Sequence, residues 1–263
     1  MRIEAIRTRV MVPPKDDLYE VIKESIKKVP EKSILVVTSK VVAIHQERCI
    51  PISAGVERDC LAKKEADFYA DRDMVPGEHL MFTIKNNSLV ASSGIDKSNS
   101  KGHFILWPEN VDESAREIHA FLKNEYCVEK LGVIITDSHV IPLRRGLVGQ
   151  AIGWFGLNPL HNYIGKKDIF GGEMMVSMKD VVDGLATAAV VVQGEADEQT
   201  PLAVISDVDW VEFSEDEKVN RGEPDLLVPL GEDLFTPMLE AVEWKKGGGG
   251  LSKKEIDKLK KKK

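Results

Sequence analysis

Short apolar runs closed by polar or turn-forming clusters alternate in this chain with stretches whose apolar residues recur every three or four positions. The first pattern predicts strands, the second amphipathic helices. Residues 3–12 alternate loosely and predict a first strand ending at Pro13-Pro14. Asp16 or Asp17 then caps a helix to about Lys28, with Leu18, Val21, Ile22 and Ile26 on its apolar face. Residues 33–38 and 132–136 are unbroken apolar runs of strand length, the mark of strands covered on both faces. Residues 80–92 predict a hairpin folded about Asn86-Asn87. Further on come a helix over 112–123, a strand over 148–155 and a Gly-rich loop over 158–172. A helix rich in small residues over 179–192, a strand over 202–205 and a last helix over 234–244 complete the reading. There is no internal repeat. Strands and helices intermix without strict alternation, which predicts an α+β fold with mixed sheets and packed helices rather than a doubly wound sheet.

Composition narrows the classes. With 43% hydrophobic and 30% charged residues over 263 positions, the chain reads as an ordinary globular protein. No apolar run approaches the ~20 residues of a membrane span, and Arg2, Glu4, Arg7 and Arg9 break any secretory leader. Three cysteines, Cys49, Cys60 and Cys127, without metal-ligand spacing predict reduced thiols and a cytoplasmic protein. The net charge of -7 is uneven. Residues 245–263 hold nine lysines against Glu255 and Asp257, so this segment carries +7 and the body -14. An acidic body argues against a nucleic-acid binder, with the Lys-rich end as the only contrary hint. The expected organisation is one domain over 1–244, then a Gly247–Gly250 spacer and a flexible, solvated Lys-rich tail.

The chemistry concentrates in polar segments placed where strands should end. Ser93-Gly94-Ile95-Asp96-Lys97-Ser98-Asn99 is one; Thr136-Asp137-Ser138, followed by Pro142, Arg144, Arg145 and Gly146, is another. A single Asp after a strand commonly caps a helix or closes a turn. Two of them, in loops rich in hydroxyl side chains and near paired arginines, suit hard divalent cations held against phosphate. Gln193-Gly194-Glu195-Ala196-Asp197-Glu198 is a third acidic site, where the long apolar helix ends and Gly194 is expected at positive φ. Acidic residues there oppose the helix dipole, and a bound cation would remove that penalty. A solvated acidic turn is the other reading. Adjacent Arg144 and Arg145 either pair with carboxylates or clamp phosphate, with at most one facing the site. Of six histidines, only His139 stands beside a candidate segment. No nucleophile elbow and no Gly-rich Walker-type phosphate loop occurs.

Together these segments resemble the coenzyme F-420-0:L-glutamate ligase family, the gamma-glutamyl ligases that extend a deazaflavin cofactor. The resemblance runs from about Arg9 to Ile205. It rests on the segment 93–99, on Asp137-Ser138 with Pro142, Arg144 and Gly146, on Tyr163-Ile164-Gly165-Lys166-Lys167-Asp168, and on Gln193-Gly194-Glu195. It implies an intertwined homodimer and a GTP-dependent amide ligase using two divalent metals, manganese or magnesium, often with potassium. By the same resemblance Asp96 and Asp137 hold the first metal, and Ser138 and Glu195 the second. Asn99, Thr38, Ser39, Gln193 and Gly194 lie along the nucleotide, as do residues 9–12, and Arg144 joins Asp96 and Asp137 in catalysis. The substrates implied are GTP, L-glutamate and a carboxylate acceptor like coenzyme F-420-0 or a folate.

Two departures stand out. The family's lysine near Ile44 is absent, leaving His45 or Lys40 as a replacement. The family's Phe-Gly-Arg-Pro-Trp-Arg becomes His139-Val140-Ile141-Pro142-Leu143-Arg144, without the arginine and the tryptophan. The resemblance therefore carries the metal and phosphate chemistry further than the acceptor. Two other readings are a metal-dependent nucleotide or phosphate-ester hydrolase and a noncatalytic ligand-binding relative.

Overall fold

The two unbroken apolar runs lie side by side, and alternate residues of each face opposite ways. In the computed structural model, which describes residues 1–78, 80–222 and 224–261, the strands in chain order are β1 (Arg2–Ile6), β2 (Ser33–Thr38), β3 (Cys49–Pro51), β4 (Phe68–Tyr69), β5 (Phe82–Lys85), β6 (Ser88–Ala91), β7 (His103–Ile105), β8 (Leu131–His139), β9 (Val148–Phe155), β10 (Leu160–Asn162), β11 (Met178–Asp180), β12 (Leu202–Ser206) and β13 (Lys245–Lys246). The helices are α1 (Leu18–Ser25), α2 (Ser39–His45), α3 (Arg58–Glu65), α4 (Val111–Tyr126), α5 (Val181–Gln193), α6 (Glu217–Arg221), α7 (Thr236–Leu239) and α8 (Lys253–Lys260).

The main sheet has the order β1-β12-β2-β8-β9. Only β2 and β8 pair in parallel, with Val36 opposite Ile134, and β1, β12 and β9 are antiparallel to their neighbours. Leu35, Val37, Val133 and Ile135 point to a layer holding α1, α2 and α4, where Leu18, Ile22, Ile44, Ala115, Ile118 and Leu122 are buried. Ile34, Val36 and Ile134 point the other way, to Val182, Leu185, Ala186 and Ala189 of α5. Cover on both faces explains why these strands lack polar alternation.

A smaller sheet, β13-β4-β5-β6, and the pair β3-β7 enclose a third apolar cluster with α3 and α8. The mixed sheets and helices agree with the α+β expectation. Among the described residues no helix is long and apolar enough to cross a membrane, and all three cysteines are free.

Several elements differ from expectation. The first strand stops at Ile6, because the chain leaves β12 to form one wall of a cavity. The first helix is shorter, ending at Ser25, although Asp17 caps it as expected by accepting from the Tyr19 and Glu20 N–H groups. The helix expected over 234–244 shrinks to the single turn α7, since Leu234, Phe235 and Met238 find no partner layer and stay exposed.

The flexible tail is corrected outright. Lys245 and Lys246 pair with Tyr69 and Phe68. The N–H groups of Gly247, Gly248, Gly249 and Gly250 donate to Asp67, Lys63, Ala66 and Lys64 carbonyls at 2.8–2.9 Å, satisfying the open C-terminal end of α3. A side chain at 247 would put its Cβ 2.1 Å from the Ala66 carbonyl oxygen, so glycine is a requirement of close approach, not of flexibility. Leu251, Ile256 and Leu259 are buried in the third cluster, and Ser252 and Glu255 form a reciprocal capping box on α8. The lysines are the outer face of an amphipathic helix.

Candidate active site

Because β2 and β8 run parallel, their C-terminal ends meet at one edge of the main sheet, where β1 ends and β12 begins. A cavity of about 610 Å³ opens there, lined by Thr38, Ser39, Asp96, Asn99, Asp137, Ser138, Gln193, Gly194 and Glu195. The structure thus brings together nine of the ten site residues expected from the sequence. It leaves out Arg144, which sits exposed beyond β8 with its guanidinium donating to the Leu143 carbonyl at 3.2 Å. Neither Arg144 nor Arg145 lines the cavity. The strand continues to His139, so the paired arginines fall on the following loop, away from the sheet edge. The Tyr163–Asp168 motif also lies elsewhere, between β10 and β11.

Asp96 arrives from the small sheet. Ser92, Ser93 and Gly94 are all left-handed, with φ of 48°, 55° and 68°, a strained run of the kind that persists at functional sites. Ser93 holds it down by donating its hydroxyl to the Ala62 carbonyl at 2.8 Å. Asp96 Oδ1 accepts from the Ser98 N–H (2.7 Å) and hydroxyl (2.8 Å). Its Oδ2 meets Lys40 Nζ at 2.7 Å. Burial pushes this carboxyl up, but the Lys40 ammonium and the two Ser98 donors outweigh it and hold it below the ordinary range. Of the two candidate replacements for the missing lysine, Lys40 lines the cavity; His45 turns to α1 and accepts from the Leu18 N–H at 3.2 Å.

Asp137 lies across the cavity, just past an irregularity in β8 between Ile135 and Thr136. Its Oδ1 accepts from the Ser39 hydroxyl at 3.1 Å, and its Oδ2 from the Trp107 indole N–H. Burial pushes its pKa up to about 6 despite these donors, and the nearby Asp96 charge adds to the rise. Ser138 donates to Glu195 Oε1 at 2.6 Å, tying β8 to the end of α5. Gly194 stops that helix at φ 78°, as the sequence predicts. Asn99 closes the far side through its amide donor to the Ala196 carbonyl at 2.6 Å. His139 faces the same space, and burial lowers its pKa.

Sequence reasoning missed Arg58 and Trp107. Arg58, on α3, lines the cavity, and burial pulls its pKa down. Nothing local in the sequence marks either residue. The Gln193 side chain is buried, yet neither its Nε2 nor its Oε1 has a partner among the described residues. A buried amide unpaired at both ends, in the wall of a cavity, is an exception among buried polar groups. Ser138 and Glu195 are hydrogen-bonded, Asp96 and Asp137 face one cavity, and among the described residues no three acidic, His or Cys side chains close round one point. Such half-shells fit hard divalent ions that draw their remaining ligands from phosphate and water. Uncompensated charge at Asp137 and the Lys40 ammonium against Asp96 fit the same donors.

The F420-0:gamma-glutamyl ligase family profile matches residues 5–207, which include every residue of the cavity named above. The chain belongs to this family. Among curated relatives, the coenzyme F420:L-glutamate ligase of Methanopyrus kandleri is 33% identical over 219 residues, covering 78% of this chain and 86% of the relative. That of Methanosarcina barkeri is 29% identical over 225 residues, 80% and 88%, and that of Methanocaldococcus jannaschii 38% identical over 160 residues, 60% and 61%. Within the F420-0:gamma-glutamyl ligase family, the matched span ends before the capping segment at 245–260.

Proposed function

We propose that this chain is a GTP- and divalent-metal-dependent gamma-glutamyl ligase that joins L-glutamate to a carboxylate acceptor of the coenzyme F420-0 or folate class. The observation that carries this reading is the meeting of two carboxylates, a Ser–Glu pair and an open buried glutamine in one cavity of a chain of this family. Asp96 and Asp137 would hold one ion, Ser138 and Glu195 a second. Bound there, manganese or magnesium would neutralise phosphate charge as it develops in phosphoryl transfer.

The chain's own residues do the positioning. Gln193 offers one donor and one acceptor to the nucleotide, and Asn99 holds the loop that faces it. Lys40 yields Asp96 and turns its ammonium to phosphate; Arg58 stands on the same wall. Met11, Ile44, Val90 and Ile95 supply apolar lining that limits water. The γ-phosphoryl group passes to the acceptor carboxylate with release of GDP. The glutamate amine nitrogen then forms the amide bond as inorganic phosphate leaves, and the amine's proton goes to solvent. Nothing in this sequence needs a protein nucleophile, and positioning with charge neutralisation suffices.

The segment joining β10 to β11 exposes Ile169, Phe170, Met175 and Val176, each at least 70% accessible. We propose that a second copy covers it in a homodimer, since an apolar patch of this kind marks an interface.

The test is GDP release from GTP and Mg²⁺ with candidate acceptors, with and without L-glutamate. Release that requires both acceptor and glutamate and yields an amide is expected, and Asp96→Asn or Asp137→Asn should abolish it. Release indifferent to glutamate, without amide product, would identify a hydrolase instead.

A further inference from the structure

We infer that Trp107 is a positioning residue for the metal site: its indole N–H orients Asp137, and its ring braces the loop that carries Asp96. This deepens the metal reading above and rests on it.

Trp107 follows β7 and is 1% exposed. A buried indole needs one acceptor, and a backbone carbonyl usually serves. That is what Trp154 and Trp244 find, at Asn220 and Leu239. Trp107 instead spends its only polar atom on Oδ2 of Asp137. With the Ser39 hydroxyl on Oδ1, donors grip both carboxylate oxygens and fix the plane of the group. Each oxygen retains lone pairs for an ion.

The same ring touches the other segment. A Cβ at residue 94 would lie 1.9 Å from Trp107 Nε1. The backbone at Gly94 therefore rests directly on the indole, two residues before Asp96, and any larger residue at 94 would collide with the ring that holds Asp137. One side chain thus contacts both the carboxylate of Asp137 and the segment that carries Asp96.

The ring's backbone is itself pinned. Arg48 Nε donates to the Trp107 carbonyl, and the Leu106 N–H donates to the Arg48 carbonyl at 3.0 Å. The Arg48 guanidinium is gripped by both oxygens of fully buried Glu65 at 2.9 Å and by the Leu251 carbonyl at 3.0 Å. Glu65 also accepts from Lys85 at 2.5 Å and from the Leu251 N–H at 2.9 Å. The segment after the glycines thus closes the network that holds Trp107.

The test is Mn²⁺ binding to the full chain without nucleotide, read from the electron paramagnetic resonance of the free ion. Trp107→Phe removes the N–H and keeps an aromatic ring; Trp107→His keeps an N–H at the same place in a five-membered ring. Losing a hydrogen bond behind a metal ligand typically weakens binding about 10–100-fold. The expected result is about a tenfold rise in the Mn²⁺ Kd for Trp107→Phe or more, with Trp107→His between it and wild type. A Trp107→Phe Kd within twofold of wild type overturns the inference, as does equal weakening in both variants, which would assign the effect to ring bulk. A wild type that binds no Mn²⁺ sinks the metal reading and this inference with it. Should Trp107→Phe not fold, wild type labelled with ¹⁵N-tryptophan decides: one of its four indole N–H resonances is expected to shift with Mg²⁺, and no shift overturns the role.

Discussion

Asp137 shows how burying a carboxyl in a cavity wall shapes stability at a single residue. Its folded pKa of about 6 exceeds the ordinary 3.8 because burial disfavours the charge. Between those values the folded state keeps a proton that the unfolded chain has released. This contribution is therefore fully present below about pH 4 and is lost as pH rises through about 6. Asp137→Asn removes the titration and keeps the shape. In metal-free protein its melting temperature is expected to match wild type near pH 4 and to exceed it at pH 7.5, by the equivalent of ~1–3 kcal/mol. Calorimetry across that range checks it. A wild type as stable as Asp137→Asn at pH 7.5 would mean that the carboxylate carries no such cost. The candidate carboxylates were legible as residues, because each follows an apolar run within a polar cluster. Their surroundings were not: Trp107 donates to Asp137, and Arg58 to the Ile95 carbonyl beside Asp96, across sequence separations of thirty or more residues, which no local pattern records.

At the scale of elements, the four consecutive glycines decide between a spacer and a cap. Gly247→Ala forces a Cβ against the Ala66 carbonyl, and its expected cost is about 2 kcal/mol. Gly184, exposed on α5 with nothing within 4 Å of its would-be Cβ, is the contrast. Gly184→Ala should stabilise the protein by about 0.5–1 kcal/mol through helix propensity alone. Urea midpoints of both variants test the pair, and a neutral Gly247→Ala would return the segment to the flexible reading. The central strands and α4 were readable because burial on a sheet or helix face imposes a period. The helix expected over 234–244 failed because apolar residues at helical spacing form a helix only where another layer receives them. Residues 253–260, dominated by lysine, found such a layer through Ile256 and Leu259.

For the whole molecule, the connection between β10 and β11 exposes a run of apolar side chains at 169–176. Phe170, 90% accessible, does not line the cavity, so Phe170→Asp should leave the fold and the cavity intact. Wild type is expected to sediment as a dimer at micromolar concentration and Phe170→Asp to shift towards monomer; a monomeric wild type removes the dimer proposal. By itself the sequence determined the class of fold and the position of the acidic segments, because apolar periodicity and polar strand ends are local properties. Nine of the ten site residues it singled out line one cavity. Only the tertiary structure decided that they share one cavity, that Arg144 stays outside, that Lys40 rather than His45 meets Asp96, and that the Lys-rich end packs on the third apolar cluster. Those outcomes depend on contacts between distant segments and on which face each element turns to its neighbours, and neither is written in local order.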